Sequence, residues 1–580
     1  MAIPTSVNGT NVTNGTHING VNGSNGTNDS NGVNGHSQSP HYDVVIIGGG
    51  FGGCYSLHKF REAGFKCHVF EAGSGLGGVW HWNSYPGARV DSEIPYYQFS
   101  IPEVYKDWSW SERFPGHAEL KRYFEHVDRK LNLSKDVSYS SIVVGADFDD
   151  ETHTWTVQTQ NGDKVTCQWL IPATGSSHKP YQPTFPNMES YQGQIIHSAS
   201  WPTSEVNLEG KTVAVIGAGA SGIQCVTEMS KKAKKLTNYI RNPNIALPMQ
   251  QRPMSELEQR INKANYQNLF RLARESAAGI AGDPCTVMSS EHTPEMREAM
   301  WEELYSRGGF NFQAANYVDY LVDEKANRML YDFWCKKTRE RVTDPQKADI
   351  VAPLEPPYPF ATKRSSLEHD YYECLSRDNV EIVSLKKAGI SEFTNKGIRT
   401  EDGVEREFDI IVLATGYDNM TGSLTNMGLR GSDGVDLKKK WSQGVSTYLG
   451  VLTKGCPNMF MIFGPQAPTA FTNAPVFIEM QVDFVVQLVS RLRDQGVQRI
   501  EVKKEAEDVW YDTVQNISNA TLFTKAVSWY MGSNIPGKKR EQLNYIGGIK
   551  GYMDACAQGT KDWSNFEVKP MPKQDMPIVR

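Results

Sequence analysis

Several features that mark other protein classes are scarce or absent in this chain of 580 residues. The nine cysteines are scattered and form no C-x-x-C pair, which excludes zinc ribbons and dithiol flavin reductases and indicates a reducing, cytoplasmic setting. Lys plus Arg number 60 against 66 for Asp plus Glu, so we expect no basic surface for nucleic acid or an anionic membrane. No apolar run approaches the roughly 20 residues that a bilayer span needs, and we expect a soluble protein. The residues suggest no metal site.

The first forty residues are rich in Asn and Gly. Residues 1–40 hold nine Asn and seven Gly and have too little apolar surface to offset the entropy of ordering, so we predict a disordered leader. The start has neither a charged nor an apolar signal region, which indicates that the glycosylation sequons here are a by-product of low complexity. These six sequons begin at Asn8, Asn11, Asn14, Asn22, Asn25 and Asn28.

A glycine fingerprint follows the first apolar run. The run ends at Ile47 and passes into G-x-G-x-x-G over residues 48–53, where a strand should turn into a helix whose first amides bind a pyrophosphate. By itself the pattern is equally typical of a plain glycine turn. Glu71 stands 23 residues after Gly48, at the end of the next predicted strand, where a carboxylate would bind ribose hydroxyls. The pair favours a nucleotide with a free 2′-hydroxyl, and we expect FAD.

A second copy of the fingerprint occupies residues 217–222 and follows the apolar run 212–216. Its next strand candidate ends in Arg241, 24 residues after Gly217, instead of in an acid. A cation attracts a 2′-phosphate that an acid would repel, so we predict that this site binds NADP. The simplest pairing is FAD in the first half and NADPH in the second; the alternative is that one of the two folds is only a scaffold.

Longer motifs carry a family resemblance. Residues 77–91, GGVWHWNSYPGARVD, resemble the G-G-x-W-x-x-x-x-[FY]-P-G-x-x-x-D signature of type I Baeyer–Villiger monooxygenases. Residues 191–202 are similar to the F-x-G-x-x-x-H-x-x-x-W-P linker of that family, with Tyr at the first position. Residues 359–373 resemble the catalytic arginine segment and residues 526–538 the mobile loop, so the resemblance covers about 42–550.

The resemblance implies oxygen insertion next to a ketone carbonyl, with NADPH reducing FAD and a C4a-peroxyflavin attacking the ketone. Arg364 is implied as the catalytic cation and Asp91 as the carboxylate that orients it. A guanidinium suits this role because it keeps its charge at working pH. The alternatives are N- or S-oxygenation by a flavin monooxygenase, and a redox-sensing protein that binds nucleotides without turnover.

The resemblance and the fingerprints together also imply the cofactor contacts. Arg89 and Asp91 would face the nicotinamide, and Trp529 would close over cofactor or substrate unless it is a core residue. The FAD contacts would be Gly48, Gly50, Phe51, Gly52, Gly53, Glu71, Gly78, Val79, Trp80, His81, Trp82, Val90 and Tyr97. The NADP contacts would be Gly217, Ala218, Gly219, Ala220, Ser221, Gly222, Ile223, Gln224, Arg241, Asn242 and Lys363.

The predicted fold is α/β, with two Rossmann-like dinucleotide-binding domains, for FAD and NADP, and a helical insertion. The Thr293-Pro294 pair predicts a helix start within the insertion, where we expect Trp301, Phe310 and Phe312 in the core. Together with the low-complexity leader, the insertion favours a bulky or polycyclic ketone of secondary metabolism. We divide the chain into the leader 1–40, the FAD domain 41–185, the NADP domain with linker 186–252, the insertion 253–347, a second NADP part 348–385 and a second FAD part 386–580.

Overall fold

The computed structural model describes residues 39–282 and 284–570. The leader predicted for residues 1–40 lies almost entirely outside the described residues. None of the described helices is both long and apolar enough to cross a bilayer.

The strands form two large sheets and three small ones. In chain order the strands are β1 (His41–Ile47), β2 (Cys67–Phe70), β3 (Val137–Ser138), β4 (Val143–Asp149), β5 (Thr154–Thr159), β6 (Lys164–Pro172), β7 (Gln194–His197), β8 (Thr212–Ile216), β9 (Lys235–Ile240), β10 (Leu247–Pro248), β11 (Leu367–Glu368), β12 (Val380–Ser384), β13 (Ile390–Phe393), β14 (Gly397–Thr400), β15 (Glu405–Glu407), β16 (Ile410–Leu413), β17 (Leu429–Arg430), β18 (Val497–Val502) and β19 (Phe566–Pro570).

Helices cover the sheets and build the insertion. In chain order they are α1 (Phe51–Glu62), α2 (Val79–Trp82), α3 (Pro102–Tyr105), α4 (His117–Leu131), α5 (Ala220–Met229), α6 (Glu256–Glu275), α7 (Pro294–Arg307), α8 (Asn311–Ala314), α9 (Glu324–Arg339), α10 (Pro345–Val351), α11 (Tyr371–Leu375), α12 (Gly422–Thr425), α13 (Leu437–Lys440), α14 (Ala474–Asp494), α15 (Lys504–Asn519) and α16 (Gly548–Gly559).

The first sheet has seven strands in the order β17-β4-β5-β6-β1-β2-β3. β1 is parallel to both β2 and β6, and the turn after it leads directly into α1. Val44 and Ile46 pack into one hydrophobic cluster, and Val45 and Ile47 pack into another on the opposite face. This two-sided burial explains why the strand reads as a continuous apolar run instead of an alternating one.

The second sheet has five strands in the order β12-β9-β8-β16-β7. Its central strands are parallel, with β8 followed by the second glycine turn and α5. The structure corrects the predicted boundary at residue 386, because β16 pairs with β7 and β8 and so belongs to this sheet. The chain returns to the first sheet only at β17, which pairs with β4.

The predicted helical insertion lies between two short paired strands. β10 and β11 are parallel, and helices α6 to α10 lie between them in the chain. The predicted helix start is confirmed: Pro294 begins α7, and the Thr293 side chain accepts a hydrogen bond from the amide of Met296. Trp301 and Phe312 are buried, as expected for core residues. Phe310 is only half-buried; it packs against the same core cluster and also meets a charged residue, as described below.

Candidate active site

The first fingerprint forms a glycine turn that a side chain would block. Gly48 has a φ of 105°, in the region that favours glycine. A Cβ on Gly53 would lie 1.7 Å from the carbonyl oxygen of Gly48, so this glycine is needed for α1 to pack against β1. A Cβ on Gly78 would lie 2.9 Å from the Cα of Gly50, which brings the start of the long motif against the turn. The backbone of this turn therefore carries no side chains on the side that we predict to face a dinucleotide.

Glu71 lies beside this turn. Its carboxylate is buried and accepts hydrogen bonds from the amides of Gly49, at 2.5 Å, and Gly73, at 2.6 Å. Burial raises the pKa of Glu71 above its usual value, and the two amides oppose that rise. The residue predicted to bind ribose is thus fixed at the end of β2, next to the fingerprint amides.

Aromatic residues of the long motif surround the same turn. Trp80 Nε1 donates a 3.0 Å hydrogen bond to the Tyr97 hydroxyl. The Phe51 ring meets the Tyr97 ring edge-on, with centroids 5.3 Å apart. His81 packs beside Gly73, and its Nδ1 atom is buried without a hydrogen-bond partner. An unpartnered buried nitrogen is rare in folded proteins and fits a site completed by a polar ligand.

The second fingerprint repeats the first geometry. Gly217 has a φ of 124°, and a Cβ on Gly222 would lie 2.4 Å from the Gly217 carbonyl oxygen. No atom lies within 4 Å of a Cβ added to Gly219, so the space in front of it is open. Ala414 directly follows the neighbouring strand β16, and its carbonyl oxygen would lie 2.3 Å from a Cβ on Gly217. This open turn has the room that a bound pyrophosphate would need.

Cations gather beyond the end of β9. Arg241 is exposed directly after the strand, and Lys363 is half-buried with its Nζ 4.5 Å from the centroid of the Tyr358 ring. Burial and the neighbouring cations Arg241 and Lys386 lower the pKa of Lys363 to about 8. No described carboxylate contributes to that shift. Such a surplus of positive charge fits a 2′-phosphate, and Asn242 lies half-buried next to it.

A polar relay joins the two nucleotide domains. Ser221 Oγ donates to the Tyr85 hydroxyl at 3.0 Å, and Tyr85 donates to Gln224 Oε1 at 2.8 Å. Gln224 Nε2 in turn donates to the Arg89 carbonyl oxygen at 3.0 Å. Ser221 and Gln224 lie on α5, which begins at the second fingerprint. The helix predicted to bind NADP is thereby connected to the segment that ends in Asp91.

Arg364 and Asp91 form an ion pair at the centre of the site. Nη2 of Arg364 lies 2.7 Å from Oδ2 of Asp91, and Nη1 donates to the Ala470 carbonyl oxygen at 3.3 Å. Burial opposes the charge of the guanidinium, but Asp91 together with the nearby Tyr530 and Tyr97 outweighs burial and raises the pKa of Arg364 above its usual value. The arginine therefore remains a fixed cation that is still one-third exposed.

Arg89 has partners that differ from the predicted nicotinamide contact. Its Nη1 donates to the Glu112 carboxylate and, at 2.5 Å, to the Phe114 carbonyl oxygen. The side chain thus binds the segment 112–114, whereas its carbonyl oxygen belongs to the relay. Val90, between Arg89 and Asp91, is buried.

The predicted mobile loop lies close to the arginine. Tyr530 is buried, its ring lies 4.6 Å from that of Phe471, and burial raises the pKa of its hydroxyl to about 12 against the opposing charge of Arg364. The Trp529 ring meets Tyr530 edge-on at 4.6 Å. Further along, Lys538 Nζ donates to Asp418 Oδ1 at 2.8 Å, which ties the loop to the end of the second sheet.

Several site residues were not predicted from the sequence. Lys386 adds to the cation cluster, the Ala470 carbonyl binds Arg364, and the Phe310 ring lies under the guanidinium with its centroid 5.4 Å from Cζ. The expectation that Phe310 is a core residue is therefore incomplete. No short motif marks these residues, because they meet the site only through tertiary packing.

Comparison with known proteins agrees with this geometry. The family model for the pyridine nucleotide-disulphide oxidoreductases matches residues 42–276. An FAD-binding monooxygenase, acrE, from Aspergillus aculeatus is 43% identical over 91% of this chain and 89% of its own length. Cyclopentanone 1,2-monooxygenase from Comamonas is 41% identical over 92% of this chain and 97% of its own length.

Solved structures are also similar to this chain. The crystal structure of OTEMO in complex with FAD and NADP superposes with a TM-score of 0.88 at 32% identity, covering 92% of this chain and all of that one. The residues described above fit both cofactors: a bare glycine turn with Glu71 for FAD, and an open turn with a cation cluster for NADP. The chain belongs to the Baeyer–Villiger monooxygenases and is an NADPH-dependent flavin monooxygenase that binds FAD and NADP.

Proposed function

We propose that this enzyme inserts one oxygen atom from O2 next to a ketone carbonyl and forms an ester or a lactone. The observation that carries the proposal is the ion pair between Arg364 and Asp91. Asp91 ends the long motif of the first domain, and Tyr530 of the predicted mobile loop lies close to the guanidinium. When bound, reduced FAD supplies the activated oxygen for this class of reaction. The chain supplies the fixed positive charge.

Arg364 is the group that we assign to the reacting carbonyl. Negative charge develops on the ketone oxygen when a nucleophilic oxygen adds to the carbonyl carbon, and a preorganised cation stabilises that charge. With Nη2 bound to Asp91 and Nη1 to Ala470, the guanidinium keeps further N–H donors free for an oxyanion. A protonated hydroperoxide that oxygenates amines or sulfides has no comparable need for this cation.

Lys363 and Arg241 are assigned to the NADPH phosphate. The surplus of positive charge around Lys363 would be relieved by an anion bound between them. The open space at Gly219 would admit the pyrophosphate against the first amides of α5. Preference for NADPH over NADH follows from this arrangement.

The substrate class that we propose is a bulky or polycyclic ketone of secondary metabolism. Support comes from the aromatic surroundings of Arg364, where the rings of Phe471 and Tyr530 come from two separate segments and lie 4.6 Å apart. Large flat ketones offer matching apolar area.

The proposal is tested by product analysis with a ketone panel. The purified chain is incubated with NADPH, O2 and cyclopentanone, cyclohexanone, aromatic ketones, steroid-sized ketones, an amine and a sulfide, and products are analysed by mass spectrometry. A mass gain of one oxygen atom on ketones supports the activity, and preference for the steroid-sized ketones supports the substrate class. Oxygenation confined to the amine or the sulfide contradicts the first point, and preference for the small rings contradicts the second.

We also infer that the enzyme works in a reducing compartment such as the cytoplasm. All nine cysteines are unpaired, and eight of them are buried. Thiol titration of the denatured, non-reduced protein should therefore find nine free thiols. A lower number after purification from its native compartment would contradict this inference.

A further inference from the structure

The guanidinium of Arg364 is held at its edge by oxygen atoms and on its face by an aromatic ring. The edge contacts go to Asp91 and to the Ala470 carbonyl. On the face, Cζ lies 5.4 Å from the centroid of the Phe310 ring, inside the roughly 6 Å over which a cation is attracted to a ring. Hydrogen bonds at the edge resist sliding of the guanidinium, whereas a contact on the face resists its tilting.

Two left-handed glycines bring Phe310 to this place. Gly308 and Gly309 follow α7 with φ angles of 70° and 63°, which other residues rarely adopt. The amide of Gly309 donates a 2.9 Å hydrogen bond to the Pro248 carbonyl oxygen in β10. A Cβ on Gly308 would lie 2.4 Å from Cγ of Gln250, so the turn is closely fitted to the end of that strand.

The same strand pair positions Arg364. β10 pairs in parallel with β11, which begins three residues after Arg364, in a register that sets Pro248 opposite Glu368. Phe310 is thus tied to one strand of the pair and Arg364 to the other. Backbone hydrogen bonds, and not a flexible loop, fix the spacing of ring and cation.

Phe312, two positions further on, is a useful comparison. It is 1% exposed, and its ring lies 5.6 Å from that of Phe333 and 5.7 Å from that of Phe360. Phe310 is only half-buried, although both residues come from the same turn and the same short helix region. Core packing therefore accounts fully for Phe312, whereas Phe310 packs against the same core only in part and also sets its ring under a cation.

We propose that Phe310 is a positioning residue, which holds the guanidinium of Arg364 in its working orientation through the face of its ring. The role rests on the proposed function, because orientation of the cation matters only if Arg364 stabilises charge on the substrate. Phe310 acts through Arg364 and does not itself react. The ring keeps the cation aimed when cofactor and ketone exchange.

The experiment replaces Phe310 by 4-fluoro-, 3,4-difluoro- and 3,4,5-trifluorophenylalanine in the full-length holoenzyme. Each fluorine weakens the negative face of the ring and hardly changes its size, so folding is preserved. The same series at Phe312 is the matched control. The readouts are kcat and KM for the ketone, ester formed per NADPH oxidised, and the rate of FAD reduction by NADPH.

We expect kcat for ester formation to fall stepwise with fluorine number at Phe310, by about 2- to 30-fold over the series, the range that such contacts are worth. The KM for the ketone and the rate of FAD reduction should not change along the series at Phe310. None of the readouts should change along the series at Phe312. A flat series at Phe310, or an effect confined to the ketone KM, overturns the role. If the unmodified holoenzyme oxygenates no ketone, the proposed function fails first and this role fails with it.

Discussion

Nη2 of Arg364 donates a 2.7 Å hydrogen bond to Oδ2 of Asp91 across a separation of 273 residues. The bond joins the long motif of the first domain to the segment that precedes β11, and it leaves the arginine one-third exposed. A fixed cation with a free side is therefore present next to the long motif, which also contacts α5 of the second domain. The predictions below change one part of this arrangement at a time.

Replacing Asp91 should uncouple NADPH consumption from oxygenation. Asp91→Ala removes a charge-assisted hydrogen bond worth about 1.5–3 kcal/mol, so we expect ester formation to fall about 10- to 150-fold. FAD reduction by NADPH should change much less, and hydrogen peroxide should accumulate. Asp91→Asn keeps the shape of the side chain, and its rate of ester formation should lie between those of the native enzyme and Asp91→Ala. Equal losses of reduction and oxygenation would show that Asp91 acts on nucleotide binding instead.

NADPH affinity should depend on pH through Lys363. The pKa of about 8 means that the ammonium is charged below pH 8 and loses its proton as the pH rises through 8. Because only the charged form attracts the 2′-phosphate, the KM for NADPH should rise above pH 8, whereas the KM for NADH should not. Lys363→Arg keeps its charge throughout and should flatten the profile. An unchanged profile in that variant would contradict the assignment.

Substitutions at two glycines of the second fingerprint should have different effects, one on the packing of the domain and the other on NADPH binding. Gly222→Ala places a Cβ 2.4 Å from the Gly217 carbonyl oxygen and should lower Tm markedly or prevent folding. Gly219→Ala meets no atom within 4 Å and should leave Tm near that of the native chain, while raising the KM for NADPH at least tenfold, or about 1.4 kcal/mol. Gly145→Ala, also with nothing within 4 Å, is the control. Native NADPH binding by Gly219→Ala would refute the proposed approach.

The Tyr85 hydroxyl should contribute to NADPH binding as well as to the stability of the protein. Tyr85→Phe removes the link between Ser221 and Gln224, and we expect the KM for NADPH to rise about 2- to 10-fold, the worth of one hydrogen bond. Tyr191→Phe is the matched control, because its hydroxyl donates to the Phe408 carbonyl within the second domain. Both variants should lose some Tm. The same NADPH KM in both would mean that the relay has no functional role.

The locally encoded parts of the fold were predictable from the sequence. Both glycine turns, the strands before them and the start of α7 depend on residues within one short segment, and each was predicted with its correct type. The boundary at 386 failed for the opposite reason. β16 joins the second sheet by pairing with strands about 200 residues earlier, and its own sequence carries no mark of that choice.

The site follows the same division. Arg364 and Asp91 were identified through motifs, and the structure brings them into contact. Phe310 was expected in the core because an aromatic residue in a helical segment usually packs there, and only the fold shows it under a cation. Lys386 likewise joins Lys363 through packing that no spacing rule indicates. Contacts between residues that are far apart in the chain and belong to no motif could not be predicted from the sequence.

The central claim is that Arg364 serves oxygen insertion and not flavin reduction. The most direct measurement compares the native enzyme with Arg364→Ala, using stopped-flow absorbance for FAD reduction by NADPH and product analysis for the ketone that the native enzyme accepts best. The account predicts that FAD reduction persists while ester or lactone formation is abolished. Ester formation by Arg364→Ala at a rate near that of the native enzyme would contradict it.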